Sequence, residues 1–439
     1  MQLSDEQQLA FNKYKLGENI FITGPGGSGK SLLIREIVND AKNNGTKVQV
    51  CALTGTAAVI LQCGAKTVHS WGGIGLANGD MKAVANKVNK SRYKKRNWVN
   101  VDLLIIDEVS MMSLKLFELL EWTARLCRKN VKPFGGIQVL FTGDFYQLPP
   151  VGKSEEPETC QFCFESPLWN TIFPNQIQLI RIFRQEDDLY KKILNQIRIG
   201  RLSKSVVSKL KDYVGRKVDA DAKILPTILY PTRKRVDEMN TRSLNNLSSE
   251  EKVFDYQQCK PEEITLTDEQ KAISLLFNSD QCETEIKYMI DNINFDKRLV
   301  LKVGAQVMCV ANLDMDSENP ICNGSQGVVE SFTEQGIPIV HFKNGVIRQM
   351  HPHIWQSETI PTVAIKQIPL ILAWAITIHK SQGATLDHAE IDIGRGIFEC
   401  GQTYVALSRV RSLDGLYLKS FDPNKILINK KVRDYYEGL

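Results

Sequence analysis

Short apolar runs alternate with helix-periodic stretches through the first half of this chain. The runs Ile20–Thr23, Val48–Leu53, Leu103–Ile106 and Ile137–Thr142 predict strands. Between the last two, residues 116, 119, 120, 123 and 126 repeat with helix spacing across Ser113–Lys129, counting Thr123 as apolar. Strands alternating with helices predict a parallel sheet covered on both faces. Gly64–Asn100 breaks the pattern. After a glycine-rich loop it turns basic, with Lys82, Lys87, Lys90, Arg92, Lys94, Lys95 and Arg96 against the single acid Asp80, and with Tyr93 and Trp98 among them. Ser248–Asp291 is rich in Glu and Asp and weakly periodic, which predicts connecting structure. From Leu299 the pattern becomes that of β-strands, over Leu299–Leu313 and Gly327–Phe332. A hairpin follows across Asn344-Gly345, between Ile339–Phe342 and Val346–Met350. The expectation is a small β module inserted into a larger α/β unit that resumes near Pro369. There is no internal repeat.

Length and composition narrow the class. A chain of 439 residues is long enough for two or three domains, each with its own core. The longest apolar stretch, Ile368–Ile378, falls well short of the roughly 18 residues a membrane span needs, so no membrane partner is expected. The first twenty residues hold Asp5, Glu6 and Glu18 and no arginine, unlike a secretory or transit peptide. Ten cysteines without a secretory signal read as reduced thiols. The close pair Cys160–Cys163 lacks the second pair or the histidines that zinc requires. The expected location is an intracellular, reducing compartment with no visible targeting segment, leaving nucleus and mitochondrion open. A net charge of +5 permits a nucleic-acid partner without arguing for one.

The chemistry begins at Gly24–Ser31, GPGGSGKS, directly after the first strand and before a helix expected over Leu32–Asn43. This matches G-x-x-x-x-G-K-[ST] in the context where it binds phosphate. Gly24, Gly26, Gly27, Ser28 and Gly29 form the loop whose N–H groups curl around phosphate oxygens, and the following helix adds its positive end. Lys30 is expected on the β- and γ-phosphates and Ser31 on Mg²⁺. The strand Leu103–Ile106 runs into Asp107 and Glu108, the first suited to hold Mg²⁺ and the second to polarise an attacking water. Gln147, in GDFYQLPP after the next strand, is placed to sense the γ-phosphate. Arg184 in IFRQ and Arg409 in YVALSRVRS are candidates for the guanidinium that meets charge spread over γ-oxygens. The NKxD signature of guanine binders is absent, so ATP is the expected nucleotide, with Gln7 of LSDEQ offering an amide to adenine. For Lys94, Lys95 and Arg96 two readings stand, a solvated helix face or a nucleic-acid contact.

An ordered set of blocks carries a resemblance. It runs LSDEQ, GPGGSGKS, ALTGTAA (Ala52–Ala58), TVHSWGGIG (Thr67–Gly75), IIDEVSMM, PFGGIQVLFTGDFYQLPPV, IFRQ, LKVGAQVMCVANLD, NGSQG, ITIHKSQGATL (Ile376–Leu386) and YVALSRV. The chain resembles the petite-integration-frequency (PIF) helicases, superfamily-one DNA helicases that translocate 5′→3′, over almost its whole length. The resemblance implies an α/β fold of two RecA-like P-loop domains with ATP bound between them. It divides the chain into a first domain over 1–63 and 101–175, a basic wedge over 64–100, a second domain over 176–247 and 362–439, and a Src-homology-type β-barrel over 248–361. It implies that Gln382 and Gly383 join Gln147, Arg184 and Arg409 at the γ-phosphate, and that Thr54, Gly55, His69, Thr377, His379 and Lys380 face DNA. Tyr146 departs from the usual phenylalanine, and the chain shows none of the long terminal extensions of many eukaryotic members. The implied function is an ATP- and Mg²⁺-dependent 5′→3′ DNA helicase in replication, repair and recombination. Its expected partners are single-stranded and 5′-tailed duplex DNA, with G-quadruplexes and RNA–DNA hybrids as further substrates, and it is expected to be a monomer without DNA. The alternatives are a translocase that strips proteins without separating strands and a nucleic-acid-binding P-loop protein with weak turnover; the acid and arginine set argues against the latter.

Overall fold

The computed structural model describes every residue except 1, 2, 55, 56, 59, 60, 62, 76, 78, 218–224, 294, 314–320, 322, 358 and 359. The chain forms two compact units, one from Met1–Val207, Phe398–Leu413 and Pro423–Leu439, the other from Ser208–Ile397 and Asp414–Asp422.

The first unit is built on six parallel strands: β1 (Ile20–Thr23), β2 (Val48–Ala52), β3 (Lys66–Thr67), β4 (Leu103–Asp107), β5 (Gln138–Gly143) and β6 (Asn175–Gln178). Their order is β3-β2-β4-β5-β1-β6. Strands β1 and β4 are buried end to end, which explains why their sequences are continuous apolar runs rather than alternating ones. On one side of the sheet Ile20, Ile22 and Ile105 pack with Leu33, Ile34, Ile37 and Val38 of the helix Lys30–Asn43. On the other, Phe21, Leu104 and Phe141 pack with the helix Leu114–Arg128, whose N-cap Ser113 accepts the Leu116 N–H. Thr23 pairs with Gly143, and Ile106 with Phe141. The carboxyl ends of β1, β4 and β5 therefore lie side by side, the edge where open α/β sheets bind ligands.

The basic segment folds as two helices, Met81–Lys90 and Arg92–Asn100, capped by the side chains of Asp80 and Ser91. Trp98 is not a platform for bases. It is fully buried, its indole N–H donates to Gly72 O at 2.9 Å, and its ring lies 4.6 Å from that of Trp71. Arg128 ties this insertion to the PFGG turn. It donates to the carbonyls of Trp98, Val99 and Val101 at 3.1, 3.1 and 2.9 Å and to Gly135 O at 2.8 Å.

The second unit holds a four-stranded parallel sheet in the order Ala375–Thr377, Thr227–Tyr230, Ala389–Ile393, Leu416–Phe421. Between its strands lies an antiparallel five-stranded sheet. Its order is Ile347–Gln349, Pro338–Phe342, Gln326–Phe332, Gln306–Cys309, Leu370–Leu372, and it includes the expected hairpin. Because Leu370–Leu372 pairs with Gln306–Cys309, and Ala364–Gln367 with His353–Gln356, the β module continues past 361. The α/β pattern resumes at Ala375 rather than near Pro369. The acidic stretch is also more ordered than expected, with helices at Asp268–Ser274 and Ser279–Asn292. Each starts with a reciprocal capping box, Thr267 with Gln270 and Asn278 with Gln281. The second sets Met289 against Phe295, Val363 and Ile365.

Candidate functional site

The loop Gly24–Ser31 leaves β1 and enters the helix Lys30–Asn43 through Gly29. Gly27 and Gly29 both have φ +84. A Cβ at Gly27 would lie 2.5 Å from Arg184 Cβ, and one at Gly29 2.5 Å from Gln7 Nε2. Only glycine fits a cradle walled this closely. Ser28 Oγ is buried in it without a hydrogen-bond partner among the described residues, which leaves a donor for an anion seated in the loop. Lys30 Nζ donates to Gly24 O at 2.7 Å and Pro25 O at 3.0 Å. Burial lowers its pKa, against the opposing charges of Asp144, Glu108 and Asp107. Ser31 stands in the first turn of the same helix. Gln7 is buried beside the loop, its Oε1 accepting the Ser4 N–H at 2.9 Å and its Nε2 3.4 Å from the carbonyls of Ser28 and Gly29.

Asp107 closes β4 and accepts the Thr142 hydroxyl and, at 2.8 Å, the Glu108 N–H. Burial raises its carboxyl while these donors and Lys30 pull it back. Glu108 follows at φ +57, a conformation that costs a non-glycine residue and is tolerated at functional turns. Burial and the Asp107 charge push its carboxyl up to about 7, against Lys30 and Arg409. A carboxylate raised toward neutrality is a better proton acceptor near neutral pH.

Arg184 donates to Ser408 O at 3.1 Å. Arg409 is buried, with Nε on Val405 O at 2.9 Å and Nη2 on Ser408 Oγ at 2.7 Å. Burial lowers the pKa of both guanidiniums, and the like charge of Arg184 helps bring Arg409 down to about 9. Lys30, Arg184 and Arg409 thus crowd buried positive charge around the loop, and a bound polyphosphate relieves that crowding. Gln147 is buried too; its N–H donates to Asp144 O at 2.8 Å, and its carbonyl lies against Gly401, at the start of the helix Gln402–Leu407. These residues, widely spaced in sequence, come together within the first unit.

Thr54 and His69 also meet there, lining a cavity of about 430 Å³ with Lys115, Val151 and Lys153. Thr54 Oγ1 accepts the Ala57 N–H at 3.2 Å, and burial lowers the His69 imidazole pKa. Gly55 lies outside the described residues. Lys94 and Lys95 are half-buried and Arg96 is exposed. In the second unit, Thr377 ends its strand and its hydroxyl accepts the Lys380 N–H at 3.2 Å. His379, Lys380, Gln382 and Gly383 occupy the turn that follows.

Three polar side chains of the site escape the motif reading. Arg198 grips Asp144 through Nε at 2.9 Å and Nη2 at 2.8 Å, both side chains buried. Tyr404 Oη accepts the Gly26 N–H at 2.8 Å. Tyr436 bonds Thr23 Oγ1. A signal for the first exists: Arg198 continues the buried stripe Tyr190, Ile193, Leu194, Ile197 on the helix Asp188–Ile199. An arginine on an apolar face needs an anion.

Comparison with known proteins agrees with these blocks. The PIF1-like helicase family matches residues 2–207, and the 2B domain of DNA helicase Pif1 matches residues 290–332. The chain is 37% identical over 442 residues to human ATP-dependent DNA helicase PIF1, covering 100% of this chain and 64% of that one. It is 32% identical over 493 residues to ATP-dependent DNA helicase RRM3 of Saccharomyces cerevisiae, covering 100% and 68%. It thus spans 64% of the length of the human relative. Among solved structures, Pif1 helicase from Candida albicans superposes with a TM-score of 0.80 at 33% identity, covering 100% of this chain and 99% of that one. Bacteroides Pif1 in complex with ADP-AlF4 gives 0.76 at 27%, covering 100% and 97%.

Proposed function

The chain belongs to the PIF1-like helicase family, and from that premise we propose that it is an ATP-dependent DNA helicase that moves 5′→3′ on single-stranded DNA. The observation that carries the reading is the buried set Lys30, Asp107, Glu108, Arg184 and Arg409 around a glycine cradle with an unpartnered Ser28 hydroxyl. ATP supplies the phosphoanhydride, and Mg²⁺ supplies a Lewis acid that offsets phosphate charge. Lys30 and the loop amides hold the phosphates, Ser31 and Asp107 hold the cation, and Gln7 holds adenine. Glu108 takes the proton of the attacking water. Arg184 and Arg409 meet the charge that develops on the γ-oxygens, and Gln147 follows its loss.

Motif position alone assigns Gln382 and Gly383 to the nucleotide and Thr54, Gly55, His69, Thr377, His379 and Lys380 to DNA. Lys94, Lys95 and Arg96 extend the DNA contact along a wedge formed by 64–100, and the five-stranded sheet corresponds to the family's Src-homology-type module. The two ATPase-type domains are centred on the six-stranded and four-stranded parallel sheets. Genome maintenance is the setting this activity fits, in an intracellular compartment.

Strand displacement tests the reading. A duplex with a 5′ single-stranded tail is unwound in the presence of ATP and Mg²⁺, and one with only a 3′ tail or blunt ends is not. Equal activity on the 3′-tailed duplex refutes the polarity. Hydrolysis with protein displacement but no strand separation selects the translocase alternative.

A further inference from the structure

The hydroxyl of Tyr436, in the helix Lys430–Glu437, reaches the ends of two neighbouring strands. It bonds Thr23 Oγ1, accepts the Phe145 N–H at 3.1 Å and stands 3.4 Å from Asp144 Oδ1. Thr23 is the last residue of β1 before the phosphate loop. Asp144 and Phe145 open the loop that carries Gln147. The Tyr436 ring stacks on Tyr146 with centroids 4.7 Å apart and planes 12° from parallel. The guanidinium of Arg198 lies 4.6 Å from the Tyr146 centroid and 5.2 Å from that of Tyr436 while holding both carboxylate oxygens of Asp144. Asp144 is the hub of the loop: Oδ1 accepts the Tyr146 N–H at 3.2 Å and its carbonyl accepts the Gln147 N–H at 2.8 Å.

Each contact has a consequence for Gln147. The two-pronged fork of Arg198 gives the buried Asp144 carboxylate its ion-pair partner and fixes its rotamer. A buried Phe145 N–H without an acceptor forces the main chain to move toward one. The Gln147 carbonyl backs onto Gly401, and the segment that begins there carries Tyr404 and Arg409. Movement of this loop is therefore felt at the arginine that faces the γ-phosphate.

We infer that Arg198 and Tyr436 are positioning residues for ATP hydrolysis, holding the Gln147 loop in register with the phosphate loop through Asp144 and Thr23. Neither touches the nucleotide, and the inference rests on the ATPase reading above. The C-terminal helix is on this view part of the catalytic apparatus rather than a trailing element.

The test is steady-state ATP hydrolysis with saturating single-stranded DNA, together with ADP affinity and thermal unfolding. Tyr436→Phe keeps the stacked ring and removes the hydroxyl; kcat falls about tenfold, a modest change in transition-state stabilisation, with KM and ADP affinity held within about threefold. Arg198→Lys keeps the charge and loses the fork, lowering kcat by roughly 10–10²-fold in the same pattern. Tyr435→Phe is the control. That hydroxyl bonds Trp169 Nε1 and Gln176 in the aromatic core, so its loss lowers the unfolding temperature but leaves kcat in place. Unchanged kcat in Tyr436→Phe overturns the inference. So does a parallel fall of kcat and unfolding temperature across all three variants, which marks them as merely structural. Absence of hydrolysis by the unsubstituted chain overturns the ATPase reading and this inference with it, so the two failures are distinct.

Discussion

Lys30 feels the charges of Asp144, Glu108, Asp107 and Arg198 at once, so its removal changes the electrostatics of the whole site. Lys30→Ala is expected to abolish DNA-stimulated ATP hydrolysis while single-strand affinity, measured by fluorescence anisotropy, stays within a few fold. Glu108→Gln keeps the shape of the site and loses the base; it should bind ATP and lose roughly 10²–10⁴-fold in turnover. Arg409→Ala should cost on the order of 10³-fold or more in kcat, the scale of an arginine finger. Arg409→Lys should recover little of that, because an ammonium lacks the guanidinium fork that meets Val405 O and Ser408 Oγ. Wild-type rates in any of these would remove the residue from the site. The placement of Lys30, Asp107 and Glu108 was legible from the sequence because it follows from fixed spacing to a loop or a strand end. Tyr404 and Tyr436 were not, since their partners Gly26 and Thr23 lie 378 and 413 residues away. Only the folded sheet makes them neighbours.

Among elements, the PFGG turn shows how a short signature is enforced by packing. Gly135 has φ +61, and a Cβ there would lie 2.7 Å from Ala124 O and 3.0 Å from Arg128 Cδ. Gly135→Ala is expected to strain the turn and displace Arg128, which also holds the end of the helix Arg92–Asn100. We expect a loss of about 1–3 kcal/mol in chemical denaturation, the scale of backbone strain, and weaker DNA binding than ATP binding. Removing charge at Lys94, Lys95 and Arg96 should flatten the salt dependence of single-strand binding by roughly 0.7 per lost phosphate contact. An unchanged slope would assign these residues to a solvated face. The β1, β4 and β5 strands were readable because burial on both faces leaves continuous apolar runs, and the helix Leu114–Arg128 because burial of one face imposes a period. The acidic helices Asp268–Ser274 and Ser279–Asn292 were not: little of their surface is buried, and local capping boxes define their starts. The extent of the β module also escaped the sequence, because Leu370–Leu372 pairs with Gln306–Cys309 across a long insertion that no local pattern records.

At the scale of the whole molecule, each unit is assembled from separated stretches of chain. The first recruits Phe398–Leu413 and Pro423–Leu439 to a body otherwise made of Met1–Val207. The helix Lys430–Glu437 contributes Tyr435, which stacks on Phe164 at 4.4 Å, and Tyr436, which reaches Thr23. A chain ending after Asp422 should therefore expose Phe145, Phe164 and Trp169, bind a hydrophobic dye and lose its cooperative thermal transition; an unaltered melt would show that the first unit is complete without that helix. Discontinuity of this kind also sets an order in time. The phosphate loop leaves the ribosome before the second unit, whereas Arg409 and Tyr436 follow only after the stretch Ser208–Ile397 has been made. A chain interrupted before that point thus holds the glycine loop and Arg184 but lacks Arg409 and the Ser408 carbonyl to which Arg184 donates, so the cluster stays unfinished until the last stretch arrives.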